Sequence, residues 1–139
     1  MDLPIRGTVL VSLRDEDKAS GAGALRVLQE EGFSLVATAG TAAYMRERGL
    51  DVQPIHKVRE GAPHTESLIS SGEVSLVIAT TRMGDASAVR GSASMRRAAL
   101  EAGIPYFTTV AGARAAASAI RALRAGEVQP IALQDLHTV

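Results

Sequence analysis

The sequence has 139 residues, a length typical of one domain whose core buries about two thirds of the surface exposed by the unfolded chain. Its 15 Lys and Arg side chains balance 15 Asp and Glu, which argues against a long-range field that gathers nucleic acid or an anionic membrane, so any anion site has to be local. Cysteine and tryptophan are absent, and there are two tyrosines and two phenylalanines, which excludes disulfides and thiolate metal sites and leaves few platforms for stacking bases.

The chain opens with MDLPIRGTVL. That stretch carries no signal-peptide pattern, and no apolar run approaches the roughly 18 residues of a membrane span, so a cytoplasmic location is expected. Gly7 to Leu13 (GTVLVSL) is apolar and β-branched and predicts a first strand, followed by a charged loop from Arg14 to Lys18. Ala19 to Glu31 predicts a helix with Leu25 and Leu28 inside, stopped by Gly32. Ser34 to Ala37 predicts a second strand, Thr41 to Arg48 a short helix stopped by Gly49, and Asp51 to Val58 a third strand. Pro54 cannot donate to a ladder, so this third strand is expected at a sheet edge. Thr65 to Ser71 predicts a short helix, and Val74 to Thr80 (VSLVIAT) the most hydrophobic strand, covered on both faces. Gly84 to Gly91 reads as a loop, Ser92 to Ala102 as a helix, Pro105 to Val110 as a fifth strand and Ala111 to Arg124 as an alanine-rich helix. The whole of 1–139 is read as one domain with a core of about residues 7–125 and a tail from Gly126 to Val139.

Strands separated by single helices imply parallel βαβ units and a three-layer α/β/α sandwich. In such sheets ligands sit beyond the strand C-termini, where the strand order switches. The strand ends here are Ser12 to Lys18, Thr38 to Thr41, His56-Lys57 and Thr80-Thr81, which bring hydroxyls and two lysines to one rim. Hydroxyls, free amides at helix starts and ammonium groups are what a phosphate monoester requires. Nothing on that rim resembles a hydride-transfer or thiol site. Taken singly, each of these residues has a plain explanation: a threonine before a helix is an N-cap, and a lysine at a loop edge is solvated surface. His64 reads as a locally bonded residue near a helix start, and Arg96-Arg97 as a solvated helix face. GAGALR, from Gly21 to Arg26, follows a charged loop instead of a strand and is set aside as a dinucleotide motif.

The segments GTVLVSLRDEDK, GFSLVATAGTAAYMRERG, HKVREGAPHTESLISSGEVSLVIATT and MRRAALEAGIPYFTTVAGARAA carry the motifs S-x-R-x-x-D-K, A-T-x-G-T-A, K-V-x-E-G-x-P-H and I-P-Y-x-T-T in order. Together, from about Gly7 to Ile120, they resemble the methylglyoxal-synthase-like domain at the C-terminus of the carbamoyl phosphate synthetase large chain. The resemblance implies a five-stranded parallel, Rossmann-like sheet and a regulatory role without catalytic residues. It implies a pocket in which UMP inhibits and IMP activates, and an ornithine site shared with a neighbouring domain. It implies as partners the remaining large-chain domains and the glutaminase small chain, together with homo-oligomer contacts, and neither nucleic acid nor membrane. The domain itself would use no cofactor, while the full synthetase would use ATP, Mg and K ions.

Carried over by motif, the effector phosphate falls on Ser12, Lys18, Thr38, Gly40, Thr41 and Lys57, its base and ribose side on Ala79, Thr80 and Thr81, and the ornithine side on Tyr106 and Thr108. Two departures bear on ligand choice: Ala79 stands where bacterial members often have asparagine, and the loop from Arg82 to Gly91 is longer than usual. The alternative within the same fold is a methylglyoxal synthase acting on dihydroxyacetone phosphate. That elimination needs a carboxylate base, and Ala62 and Arg82 stand where its pattern places aspartates.

Overall fold

The computed structural model describes residues 3–55, 65–80 and 95–128. Within them the order is β1 (Thr8–Ser12), α1 (Asp15–Glu30), β2 (Ser34–Thr38), α2 (Ala39–Glu47), β3 (Val52–Ile55), α3 (Thr65–Ser70), β4 (Val74–Ala79), α4 (95–102), β5 (Tyr106–Phe107) and α5 (Val110–Val128). A single helix between successive strands returns the chain to the same sheet edge each time, so all four pairings are parallel. The sheet order is β3-β2-β1-β4-β5. The chain therefore works outward from β1 to β3, then crosses to the other side of β1 for β4. The switch in direction lies between β1 and β4, and a ligand crevice is expected outside their C-terminal ends.

Alternation along the strands sends side chains to two separate cores. Val9, Val11, Leu35, Ala37, Leu76 and Ile78 pack with residues of α1, α2 and α5. Leu10, Val77 and Ala79 pack on the opposite face with Ile69 of α3 and with Met95 and Ala99 of α4. β4 is buried at five of its six positions, as its continuous apolar run requires. Pro54 lies in β3, at the sheet edge, where a missing N–H costs no ladder bond.

Three elements differ from the sequence expectation by more than two residues at one end. Asp15 to Lys18 is not a loop but the first turn of α1. Asp15, Glu16 and Asp17 place three carboxylates where the helix dipole is positive, so the charged stretch starts the helix. The fifth strand is only Tyr106–Phe107, at the other sheet edge, although the Pro105 carbonyl also accepts a hydrogen bond from the Val77 N–H at 3.0 Å. The last helix continues past Arg124 to Val128, so the first residues of the expected tail are helical. The end of the third strand beyond Ile55, the loop from Gly84 to Gly91 and the start of the helix from Ser92 lie outside the described residues.

α1 and α5 lie against each other on one face of the sheet, and exposed ion pairs join them at the C-terminal end of α1. Arg121 contacts Glu30 at 2.6 Å and Glu31 at 2.9 Å, and the Arg124 guanidinium donates to the Ile5 carbonyl at 2.6 Å. Gly23 sits on the solvent side of α1, with no atom within 4 Å of an added Cβ. Gly23→Ala therefore stabilises the protein by about 0.5–1 kcal/mol through helix propensity alone, read as a higher denaturation midpoint at unchanged m-value.

Candidate anion site at the strand switch

Three strand ends and two helix starts meet at the switch point. β1 delivers Ser12, which pairs in register with Ala79 of β4. β2 delivers Thr38, and α2 begins at the next residue, so Ala39, Gly40 and Thr41 form its first turn. Thr38 is the N-cap residue, with φ −59° and ψ 154°, yet its side chain does not cap the helix. No acidic residue lies in that first turn, and Ala39 and Gly40 are exposed. The first amides of a helix have no intrahelical acceptor, so this terminus presents N–H donors and a positive dipole end to solvent.

Lys18 supplies the formal charge. One turn into α1, its side chain is only 14% exposed, and its Nζ stands 3.3 Å from the point that a Gly40 Cβ would occupy. The glycine thus lets the ammonium lie against the start of α2. The same ammonium pairs with the Asp15 carboxylate at 2.6 Å, and the Asp15 side chain is 66% exposed.

The hydroxyls divide into two kinds. The Thr38 hydroxyl lies 3.4 Å from both Ser12 Oγ and Thr41 Oγ1, and its single hydrogen can go to either one, over a distance longer than the usual 2.7–2.8 Å of an O–H···O bond. Ser12 and Thr38 are both half-buried, and their loosely held hydroxyls can turn to a better acceptor. Thr41 and Thr80 are engaged with the backbone instead. Thr41 is 1% exposed, and its Oγ1 accepts the Leu13 N–H at 3.1 Å and donates to the Leu13 carbonyl at 3.4 Å. Thr80 Oγ1 accepts the Arg14 N–H at 2.9 Å, while its own N–H bonds the Ser12 carbonyl at 2.9 Å. These two hydroxyls hold the β1–α1 corner from both sides and so fix the base of the helix that carries Lys18.

Thr41→Val keeps the volume and strands the buried Leu13 N–H. The expected cost is about 1–3 kcal/mol in chemical denaturation, whereas Thr41→Ser, which keeps the acceptor, loses less than half of that.

Of the residues expected at the site, Ser12, Lys18, Thr38, Gly40 and Thr41 come together here. Ala79 is buried at 1% exposure within the second core. Tyr106 pairs with Val77 on the far side of β4 from β1, where it is half-buried, and Thr108 just beyond it is exposed. Lys57, Thr81, His64, Ala62 and Arg82 lie outside the described residues. Asp15, paired with Lys18, is a rim residue that the motifs do not include. The signal was present, because carboxylates directly after a strand mark a helix N-terminus, and a helix begun at Asp15 puts Lys18 three residues on and within its reach. Among the described residues no group of three or more His, Cys, Asp or Glu side chains could hold a metal ion, and no helix is long and apolar enough to cross a membrane.

Comparison with known proteins places this arrangement. A model of the MGS-like domain matches residues 22–108. The carbamoyl phosphate synthase large chain of Rhizobium meliloti is 50% identical over 133 residues, covering 94% of this chain and 11% of that protein. The C-terminal section of the Methanopyrus kandleri large chain is 40% identical over 136 residues, 98% of this chain and 25% of that protein. An arginine-specific, chloroplastic large chain from Oryza sativa is 38% identical over 133 residues, 96% of this chain and 11% of that protein. The chain thus spans between 11% and 25% of the length of these relatives. Among solved structures, methylglyoxal synthase from Elizabethkingia anophelis superposes with a TM-score of 0.61 at 21% identity, over 84% of this chain and 80% of that one, a likeness of fold. Because the MGS-like family model matches residues 22–108, more than half of its length, the chain belongs to the MGS-like domain family.

Proposed function

We propose that the chain is the regulatory domain of a carbamoyl phosphate synthetase large chain, and that it binds the phosphate of a nucleotide monophosphate, UMP or IMP, at the strand switch. The observation that carries this reading is the uncapped, exposed start of α2 with the Lys18 ammonium laid against Gly40. A phosphate there would accept amides from the first turn of α2, a charge-assisted bond from Lys18, and the hydroxyls of Ser12 and Thr38, with Lys57 as a second cation and Thr80-Thr81 toward the rest of the ligand. It would connect the ends of β1 and β2 and the starts of α1 and α2. A bound effector can bias a partner domain only if it favours one of two arrangements, and coupling of that kind amounts to about 1–3 kcal/mol.

The domain has no catalytic role in this reading. A synthase of this fold needs a carboxylate at the substrate carbon, and Ala62 and Arg82 supply none. The partners proposed are the ATP-using domains of the large chain, its glutaminase small chain and a second copy of the chain, with ornithine at Tyr106 and Thr108. The test is isothermal calorimetry of the 139-residue chain with UMP, IMP, inorganic phosphate, ornithine and dihydroxyacetone phosphate. UMP or IMP should bind with no turnover. Absence of binding by both nucleotides at millimolar concentration overturns the effector reading, and release of methylglyoxal from dihydroxyacetone phosphate replaces it with the synthase.

A further inference from the structure

We infer that Asp15 is an internal competitor of the ligand phosphate, a carboxylate that pairs with Lys18 and so sets how tightly a phosphate monoester is held. This rests on the nucleotide reading of the same site. Lys18 makes a 2.6 Å pair with Asp15 at the place where its ammonium also meets the start of α2. An incoming phosphate that takes a charge-assisted bond from Lys18 has to share or displace that carboxylate.

The two partners differ in how easily they move. Lys18 is largely enclosed, with 14% of its side chain exposed, whereas Asp15 is 66% exposed and swings into water at little desolvation cost. The exchange therefore moves Asp15 and leaves Lys18 in place. Asp15 is also on the first turn of α1, and Glu16 and Asp17 remain to meet the helix dipole when it turns away. Binding becomes a trade of one carboxylate for a phosphate group of higher charge, and the affinity is lower than the hydroxyls, amides and ammonium would give unopposed. For a sensor that lowering is useful, because occupancy then follows ligand concentration instead of saturating at trace levels.

Glu16 separates this local competition from a change in net charge. It lies on the same helix turn and carries the same charge, but its carboxylate is paired with Arg14, at 3.9 Å. Calorimetric titration with inorganic phosphate, and separately with UMP, is expected to give about two- to fivefold tighter binding for Asp15→Asn, the change that loss of one exposed pair corresponds to. Glu16→Gln is expected to change affinity by less than half as much, and Asp15→Glu to stay near the parent value because it keeps a carboxylate on Lys18. Equal or weaker binding by Asp15→Asn overturns the inference, as does an equal gain in Glu16→Gln. If the unsubstituted chain binds neither phosphate nor UMP, the nucleotide reading falls with it. If the chain binds both and Asp15→Asn has no effect, only the role of Asp15 is lost.

Discussion

Lys18→Ala weakens inorganic phosphate and UMP together, by about 10- to 100-fold, the range expected when one largely enclosed, charge-assisted hydrogen bond to an anion is lost. The amides at the start of α2 and the Ser12 and Thr38 hydroxyls remain, so binding is reduced and not abolished. Uridine, which lacks the phosphate, is unaffected by the substitution, and that contrast places the lysine at the phosphate. Folding stability changes little, by about 0.5 kcal/mol or less, because the Asp15 partner is solvent-exposed and stays at the favourable end of α1. A calorimetric titration in which UMP weakens while inorganic phosphate does not would move Lys18 away from the phosphate. A loss of thermal stability of several degrees would instead make the lysine a structural residue.

The architecture was legible because its determinants are local and repeated. Each of the first four apolar runs is followed by a helical stretch and a glycine stop, and such alternation favours a parallel sheet. Pro54 announced an edge strand from a single missing donor, and β3 is at the edge. The boundaries that failed depend on competition between local signals. Charge along Arg14 to Lys18 signals solvation in a loop, whereas three carboxylates at Asp15, Glu16 and Asp17 also stabilise a helix start. β5 was read too long because Phe107, Thr108 and Val110 have strand propensity, yet an edge strand has one neighbour to pair with and α5 begins at Val110. At the rim, residue types told which side chains gather but not what each does. Thr38 and Thr41 are equivalent in the string ATAGTA, but Thr41 falls on the buried side of the first turn of α2 and bonds the Leu13 peptide, while Thr38 stays half-exposed. That distinction depends on helix phase and on contacts across 28 residues of sequence, which no local pattern encodes. GAGALR has a similar history. Its Gly21 is buried, with an added Cβ meeting Leu13 Cδ1 at 2.8 Å and Val110 at 3.9 Å, so the small residue serves helix packing beside the site.

The largest stability effect is expected from Gly7→Ala, at the opposite end of β1 from the candidate anion site. Gly7 has φ +124°, outside the regions open to a side-chain-bearing residue, and an added Cβ would overlap the Ser75 side chain, lying 2.8 Å from Ser75 Cβ. The cause is a register shift in the β1–β4 ladder. Thr8 pairs with Val74 and Val9 with Leu76, which leaves Ser75 without an in-register partner, turned toward Gly7. The Gly7 carbonyl also accepts the Ser34 N–H at 3.0 Å, so the residue cannot relax without loosening the start of β2. Backbone strain at such a φ costs about 1–3 kcal/mol, and relief of the overlap adds more, so about 3 kcal/mol or above is expected from chemical denaturation. That is a large fraction of the roughly 5–15 kcal/mol that stabilises a typical domain. Two further measurements separate the causes. In a Ser75→Gly background the overlap disappears and the strain remains, so Gly7→Ala costs about half as much there as in the parent chain. The strand places Gly7 about 17 Å from Ser12, at roughly 3.3 Å per residue. At temperatures where the variant is folded, phosphate affinity therefore stays at the parent value, and a weakened site would mean that the strain travels along β1 to the corner that Thr41 and Thr80 hold.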